Sequence, residues 1–124
     1  RGLGDVYKRQ ALRIRSAIIE MFNNAFKECD VLISATVAET AFLHDFKPDD
    51  QMQAYLTDIC TVPVNIAGLC AVSVPCGVDQ NKLPIGMQLI GDRFCEYKIL
   101  NAAYKFEQMQ CGKNYKEVDM GVRL

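Results

Sequence analysis

One histidine, no C-x-x-C pair and a net charge near zero are the scarcities that say most about this 124-residue sequence. With His44 as the single histidine, a zinc site would need an all-thiolate set. The six cysteines, Cys29, Cys60, Cys70, Cys76, Cys95 and Cys111, lack the close spacing such a set uses, so no metal site is expected. They lie in apolar surroundings with no secretory signal ahead of them, and buried cytosolic thiols are expected rather than disulfides. No apolar run approaches the roughly 18 residues that span a bilayer, so no membrane role is expected. A formal net charge of −1 supplies no basic face for displacing phosphate counterions, and any contact with RNA is expected to go through a partner.

What is present is apolar residues in ordered patterns. They make up 50% of the chain, enough for a core, and the chain reads as one soluble unit. From Leu12 to Cys29, Ile14, Ala17, Ile18, Met21, Phe22, Ala25 and Phe26 recur at helical spacing, which predicts an amphipathic helix. Val31–Ile33 then reads as a strand buried on both faces. The segment from Ala35 to Asp50 has no steady period and reads as a loop, leading into a helix lined by Met52, Leu56 and Ile59. Thr61 as cap, Pro63 in the first turn and Gly68 as stop frame a short buried helix, Val64 to Ala67. Ala71 to Val74 is a second core strand ended by Pro75. Asp79 to Lys82 turns the chain, and Ile85 to Ile90 returns as a third strand. A last helix after Arg93 is expected to bury Ile99, Ala102, Ala103, Phe106 and Met109. Helices and strands alternate, which predicts an α/β layered architecture. Few elements are available to cover a doubly buried strand, so the isolated chain is expected to be sticky or only marginally stable.

Amide hydrolysis needs an activated nucleophile, a base and oxyanion donors. Ser73 alternates with Val72 and Val74 and reads as a core serine bonded to backbone. Cys76, in the turn Pro75-Cys76-Gly77, has only His44 as a possible base, and His44 lies in a loop with no reason to approach it. Asp49 and Asp50 read as a solvated turn, because no apolar flank is present to drive two carboxyl pKa values apart.

The run YLTDICTVPVNIAGLCAVSVPCG from Tyr55 to Gly77, with LPIGMQLIG from Leu83 to Gly91, resembles the C-terminal part of the amidase signature family. Within that family it is similar to the glutamine-hydrolysing A subunits of tRNA-dependent amidotransferases. The resemblance runs from about Ala11 to the end. It implies an α/β/α layered fold with a mixed sheet, of which residues 11–124 are an incomplete C-terminal part. The family's nucleophile is a serine, activated through a second serine in a cis peptide and a lysine, all in an upstream Gly/Ser-rich region. No such stretch occurs here, so no catalytic residue is carried over and the chain alone is expected to be inactive.

One substrate-binding residue is carried over. Asp58, in Tyr55-Leu56-Thr57-Asp58-Ile59, matches the aspartate that lines the glutamine pocket and contacts the substrate's α-amino group. A carboxylate facing an ammonium in a partly desolvated pocket makes a charge-assisted bond worth roughly 1.5–3 kcal/mol and favours a free amino acid over a neutral amide. Without the motif, Asp58 reads equally well as an exposed helix residue or cap. The resemblance further implies a cytoplasmic enzyme of protein biosynthesis. Glutamine is hydrolysed, and its ammonia passes to a B subunit, which with ATP and Mg converts Glu-tRNA(Gln) to Gln-tRNA(Gln), or Asp-tRNA(Asn) to Asn-tRNA(Asn). The implied partners are the B and C subunits, with misacylated tRNA. A general amidase for neutral amides and a stand-alone, non-catalytic interaction module are the alternatives.

Three positions depart from the family pattern. Ala35 and Cys70 stand where prolines are usual, which loosens each turn by less than about 1 kcal/mol if the backbone is kept. Cys95 stands where an acidic or hydroxyl residue usually caps the last helix, a loss of roughly 1 kcal/mol. The opening RGLGDVYKRQ does not match the family and looks like a sequence found at the ends of gene predictions from assembled environmental reads. Residues 1–10 are therefore set aside as a processing artefact, which halves the apparent basic cluster of Lys8, Arg9, Arg13 and Arg15.

Overall fold

A computed structural model describes residues 3–42 and 55–110. Along the chain come α1 (Leu3–Ala25), β1 (Leu32–Ala35), α2 (Val62–Ala67), β2 (Cys70–Val78), β3 (Pro84–Gly91) and α3 (Glu96–Gln110). A further helical turn covers 55–57. The strands form one antiparallel sheet in the order β1-β3-β2, so β3 is central. This is the expected α/β layering with the expected β2–β3 hairpin. All pairing among the described strands is antiparallel, so the parallel pairing of a mixed sheet would have to come from strands outside them.

Paired residues of an antiparallel sheet point to the same face, and the register therefore sorts the side chains. Leu32, Ile90 and Ala71 share one face with Ser34, Gln88 and Ser73; Ile33, Leu89 and Val72 share the other with Ala35, Met87 and Val74. Helix α3 packs over β2 and β3 on the second face, with Ile99 and Ala103 buried. Gly91 permits that approach, since a Cβ there would lie 2.6 Å from Ile99 Cγ2. On the first face, the turn at Cys60 is bonded to Gln88, and beyond that turn α1 packs on α2, its Arg15 Nε donating to the Ile66 carbonyl at 3.0 Å. The covers are offset, and each face keeps one bare margin: Ile33 at β1, and Ala71 and Ser73 at β2.

That offset corrects the doubly buried first strand. It runs over Leu32–Ala35 rather than Val31–Ile33, and Ile33 is 67% exposed because α3 lies over the other two strands. The first helix likewise buries less than its pattern offers. Ile18, Phe22, Ala25 and Phe26 are half-buried, whereas Ile14 and Met21 are exposed, since six-residue α2 covers only part of its length. The helix ends at Ala25 and a turn continues to Glu28. At its start it extends past Leu12 through an exposed stretch, residues 4–10, as a nucleated helix does through residues of adequate propensity. In α3, Met109 is 78% exposed, because the helix outruns the sheet beneath it. The five described cysteines are half-buried and unpaired rather than fully buried.

Pro75 does not end β2. The strand continues to Val78 through a bulge in which Pro75 pairs with Gly86, Gly77 pairs with Ile85 and Cys76 is the extra residue. An edge strand tolerates the missing N–H there, and the bulge absorbs the break in the ladder. The turn to β3 is built on Asp79. Its Oδ1 accepts the Asn81 and Leu83 N–H groups at 2.7 and 2.8 Å, and its Oδ2 accepts the Thr40 hydroxyl at 2.9 Å. These donors, Leu83 N–H foremost, hold the Asp79 carboxyl below its ordinary range. Lys82 completes the turn at φ +65°.

His44, Asp49, Asp50, Met52 and Cys111 lie outside the described residues. Of the residues expected to line the helix before Thr61, Leu56 and Ile59 are exposed, because the described helix there is a single turn. Among the described residues no helix is long and apolar enough to cross a membrane.

Candidate functional site

The segment around Asp58 is shaped by its own backbone. The Asp58 N–H donates to the Tyr55 carbonyl at 3.2 Å, closing the helical turn. The Asp58 carbonyl then accepts three donors: Thr61 N–H at 3.0 Å, Val62 N–H at 2.9 Å and the Thr61 hydroxyl at 3.2 Å. Thr61 stands at the N-cap of α2 but makes no side-chain cap bond. Its backbone is already helical there, at φ −100° and ψ −33°, and its hydroxyl turns back to Asp58. Pro63 occupies the first turn as expected. Gly68, at φ +69°, stops the helix; its N–H bonds to the Asn65 carbonyl, and the Leu69 N–H reaches the Val64 carbonyl at 3.2 Å. Arg93 Nη2 adds a bond to the Ala67 carbonyl at 2.8 Å.

The Asp58 side chain projects from this turn into the open. It is exposed, and among the described residues its carboxylate has no hydrogen-bond or ion-pair partner. A carboxylate so placed can receive an ammonium group. Two residues on, the Cys60 carbonyl accepts from Gln88 Nε2 at 3.2 Å, which ties the turn to the central strand. Gln88 Nε2 also donates to Ser34 Oγ at 3.1 Å. Sequence reasoning missed Gln88; the available signal was one amide within the otherwise apolar run from Ile85 to Ile90.

The other candidates form no catalytic group. The Ser73 hydroxyl pairs with the Thr36 hydroxyl at 2.6 Å rather than with backbone, and it is exposed rather than in the core. Gly86 makes room for that pair: a Cβ there would lie 2.9 Å from Thr36 Oγ1 and 3.0 Å from Ser73 Oγ. Cys76 Sγ donates to the Ile85 carbonyl at 3.5 Å, and its suggested base, His44, is outside the described residues. Cys70 opens β2 opposite Gly91 and donates to the Asp92 carbonyl at 2.9 Å. Cys95 precedes α3, its carbonyl receiving the Lys98 N–H at 2.9 Å. Lys98 Nζ meets Asp30 at 2.8 Å, an exposed pair that links α3 to the approach of β1. Its hydrogen bond lowers the Asp30 pKa and raises that of Lys98. Among the described residues no three of His, Cys, Asp and Glu gather as metal ligands.

Comparison with known proteins gives this geometry a context. The Amidase family model matches residues 2–100. The A subunit of glutamyl-tRNA(Gln) amidotransferase from Prochlorococcus marinus subsp. pastoris is 50% identical over 107 residues, which are 86% of this chain and 22% of that protein. The crystal structure of the corresponding A subunit from Thermotoga maritima superposes with a TM-score of 0.77 at 36% identity, over 84% of this chain and 23% of that one. An allophanate hydrolase from Kluyveromyces lactis follows with a TM-score of 0.70 at 29% identity, over 86% of this chain and 17% of its own. The chain thus spans about a fifth of the length of the relatives it matches.

Proposed function

The chain belongs to the amidase family, and we propose that it is the C-terminal part of a glutamine-hydrolysing A subunit of a tRNA-dependent amidotransferase. The observation that carries this reading is the 50% identity to the A subunit of a glutamyl-tRNA(Gln) amidotransferase across 86% of the chain. In this reading the segment contributes to substrate binding, while the nucleophilic serine, its partner serine and the lysine come from the upstream part. Asp58 holds the α-ammonium of glutamine and selects a free amino acid. The ammonia released serves a B subunit, which uses ATP and Mg to amidate Glu-tRNA(Gln) or Asp-tRNA(Asn), with a C subunit completing a cytoplasmic complex.

The test is to put this segment in place of its counterpart in a full-length amidotransferase A subunit, then assay glutamine hydrolysis. Hydrolysis of glutamine in preference to a neutral amide is expected; the opposite preference would overturn the reading. In the same protein, Asp58→Ala is expected to raise the glutamine KM about ten- to a hundredfold, the equivalent of one charge-assisted bond. An unchanged KM would remove Asp58 from the pocket. A general amidase is the second reading, favoured by the likeness to a hydrolase of another amide. A stand-alone interaction module is disfavoured by the bare sheet margins.

A further inference from the structure

Gln88 is the buried polar side chain among the described residues, 5% exposed on the central strand between Met87 and Leu89. We propose that Gln88 is the positioning residue for Asp58: its carboxamide fixes the turn that carries the carboxylate and thereby sets the affinity for substrate. This deepens the glutamine reading and rests on the role given there to Asp58.

The Cys60 carbonyl can only accept, so the amide nitrogen of Gln88 faces it, at 3.2 Å. The same nitrogen donates to Ser34 Oγ at 3.1 Å, which occupies both its protons. Ser34 can accept because its own proton goes to the Ala35 carbonyl at 3.1 Å. The donors therefore diverge from Gln88 on the central strand, one toward Ser34 on β1 and the other toward the Cys60 turn, so a single amide ties both to β3. Within that turn the Asp58 carbonyl is fixed by the Thr61 and Val62 N–H groups, and the Cys60 carbonyl by the sheet. With both carbonyls held, the Asp58–Ile59 and Cys60–Thr61 peptide planes, which flank the turn, cannot rotate without breaking one set of bonds.

An apolar side chain would suit this strand position as well as its neighbours do. Net stabilisation from a buried hydrogen bond is modest, and what a lone apolar replacement forfeits is the donor to the Cys60 carbonyl and the Ser34 hydroxyl left behind. The amide's distinctive contribution is therefore orientation. Removing it should loosen the turn and weaken substrate binding, while the bond-breaking residues, which lie elsewhere, keep their rate.

The experiment uses the full-length protein carrying this segment, with Gln88→Leu and the more adaptable Gln88→Met. The glutamine KM is expected to rise about tenfold with kcat within about threefold of the parent, the pattern of lost binding rather than lost chemistry. Combined with Asp58→Ala, Gln88→Leu should add no further rise, because both act on one interaction. Amide exchange at Thr61 and Val62 should quicken about tenfold, as a local opening made easier by about 1.4 kcal/mol would give. Unchanged KM and exchange in the folded variants would overturn the proposal, as would KM effects that multiply in the double variant. Loss of folding in both variants would also overturn it, since the amide would then hold the sheet rather than the turn. Quickened exchange in a protein that never hydrolyses glutamine would uphold the tether and overturn the glutamine reading alone.

Discussion

Asp79 organises a whole hairpin loop with one carboxylate, accepting two backbone N–H groups and a hydroxyl. Its pKa is lowered in the folded chain, chiefly by the Leu83 N–H. The stabilisation it gives is therefore complete above the carboxyl's ordinary pKa and is lost as pH falls through the lowered folded value. Amide exchange at Asn81 and Leu83, corrected for its intrinsic pH dependence, should rise across that acid range, and Asp79→Ala should abolish the rise by opening the loop at every pH. Lys82→Gly should stabilise by up to about 1 kcal/mol in chemical denaturation, since a left-handed backbone strains every residue with a Cβ. The sequence disclosed Asp79 only as a polar turn and Asp58 only through its motif. It marked Gln88 only as one amide in an apolar run and could not disclose its role, because the decisive partner is a backbone carbonyl 28 residues away, which has no side-chain signature.

At the scale of elements, helix and strand types were legible because periodicity and stop residues agreed, as at Gly68. Boundaries failed where tertiary pairing overrode local chemistry. Pro75 has the profile of a strand end, yet pairing with Gly86 carries β2 onward through the bulge. Burial failed for a related reason: the apolar stripe of α1 is continuous in sequence, but α2 is six residues long and covers little of it. Gly86 tests how tightly the strands fit. Gly86→Ala would place a Cβ 2.9 Å from Thr36 Oγ1 and 3.0 Å from Ser73 Oγ. It should part that hydroxyl pair and destabilise the full-length protein by about 1–3 kcal/mol, measurable by chemical denaturation.

For the whole molecule, large apolar side chains such as Ile33, Leu100 and Met109 face outward. The isolated chain should bind a hydrophobic dye and elute as mixed aggregates in size-exclusion chromatography, and co-expression with the upstream part of a full-length relative should suppress both. A monodisperse, dye-free monomer would count against this. The two outer strands also differ in what they permit. The outer border of β2 carries a proline and a bulge, devices that discourage a further strand. The border of β1 along Leu32–Ala35 carries neither. Among the described strands, β2 is thus the finished hem of the sheet and β1 the border left open to pairing.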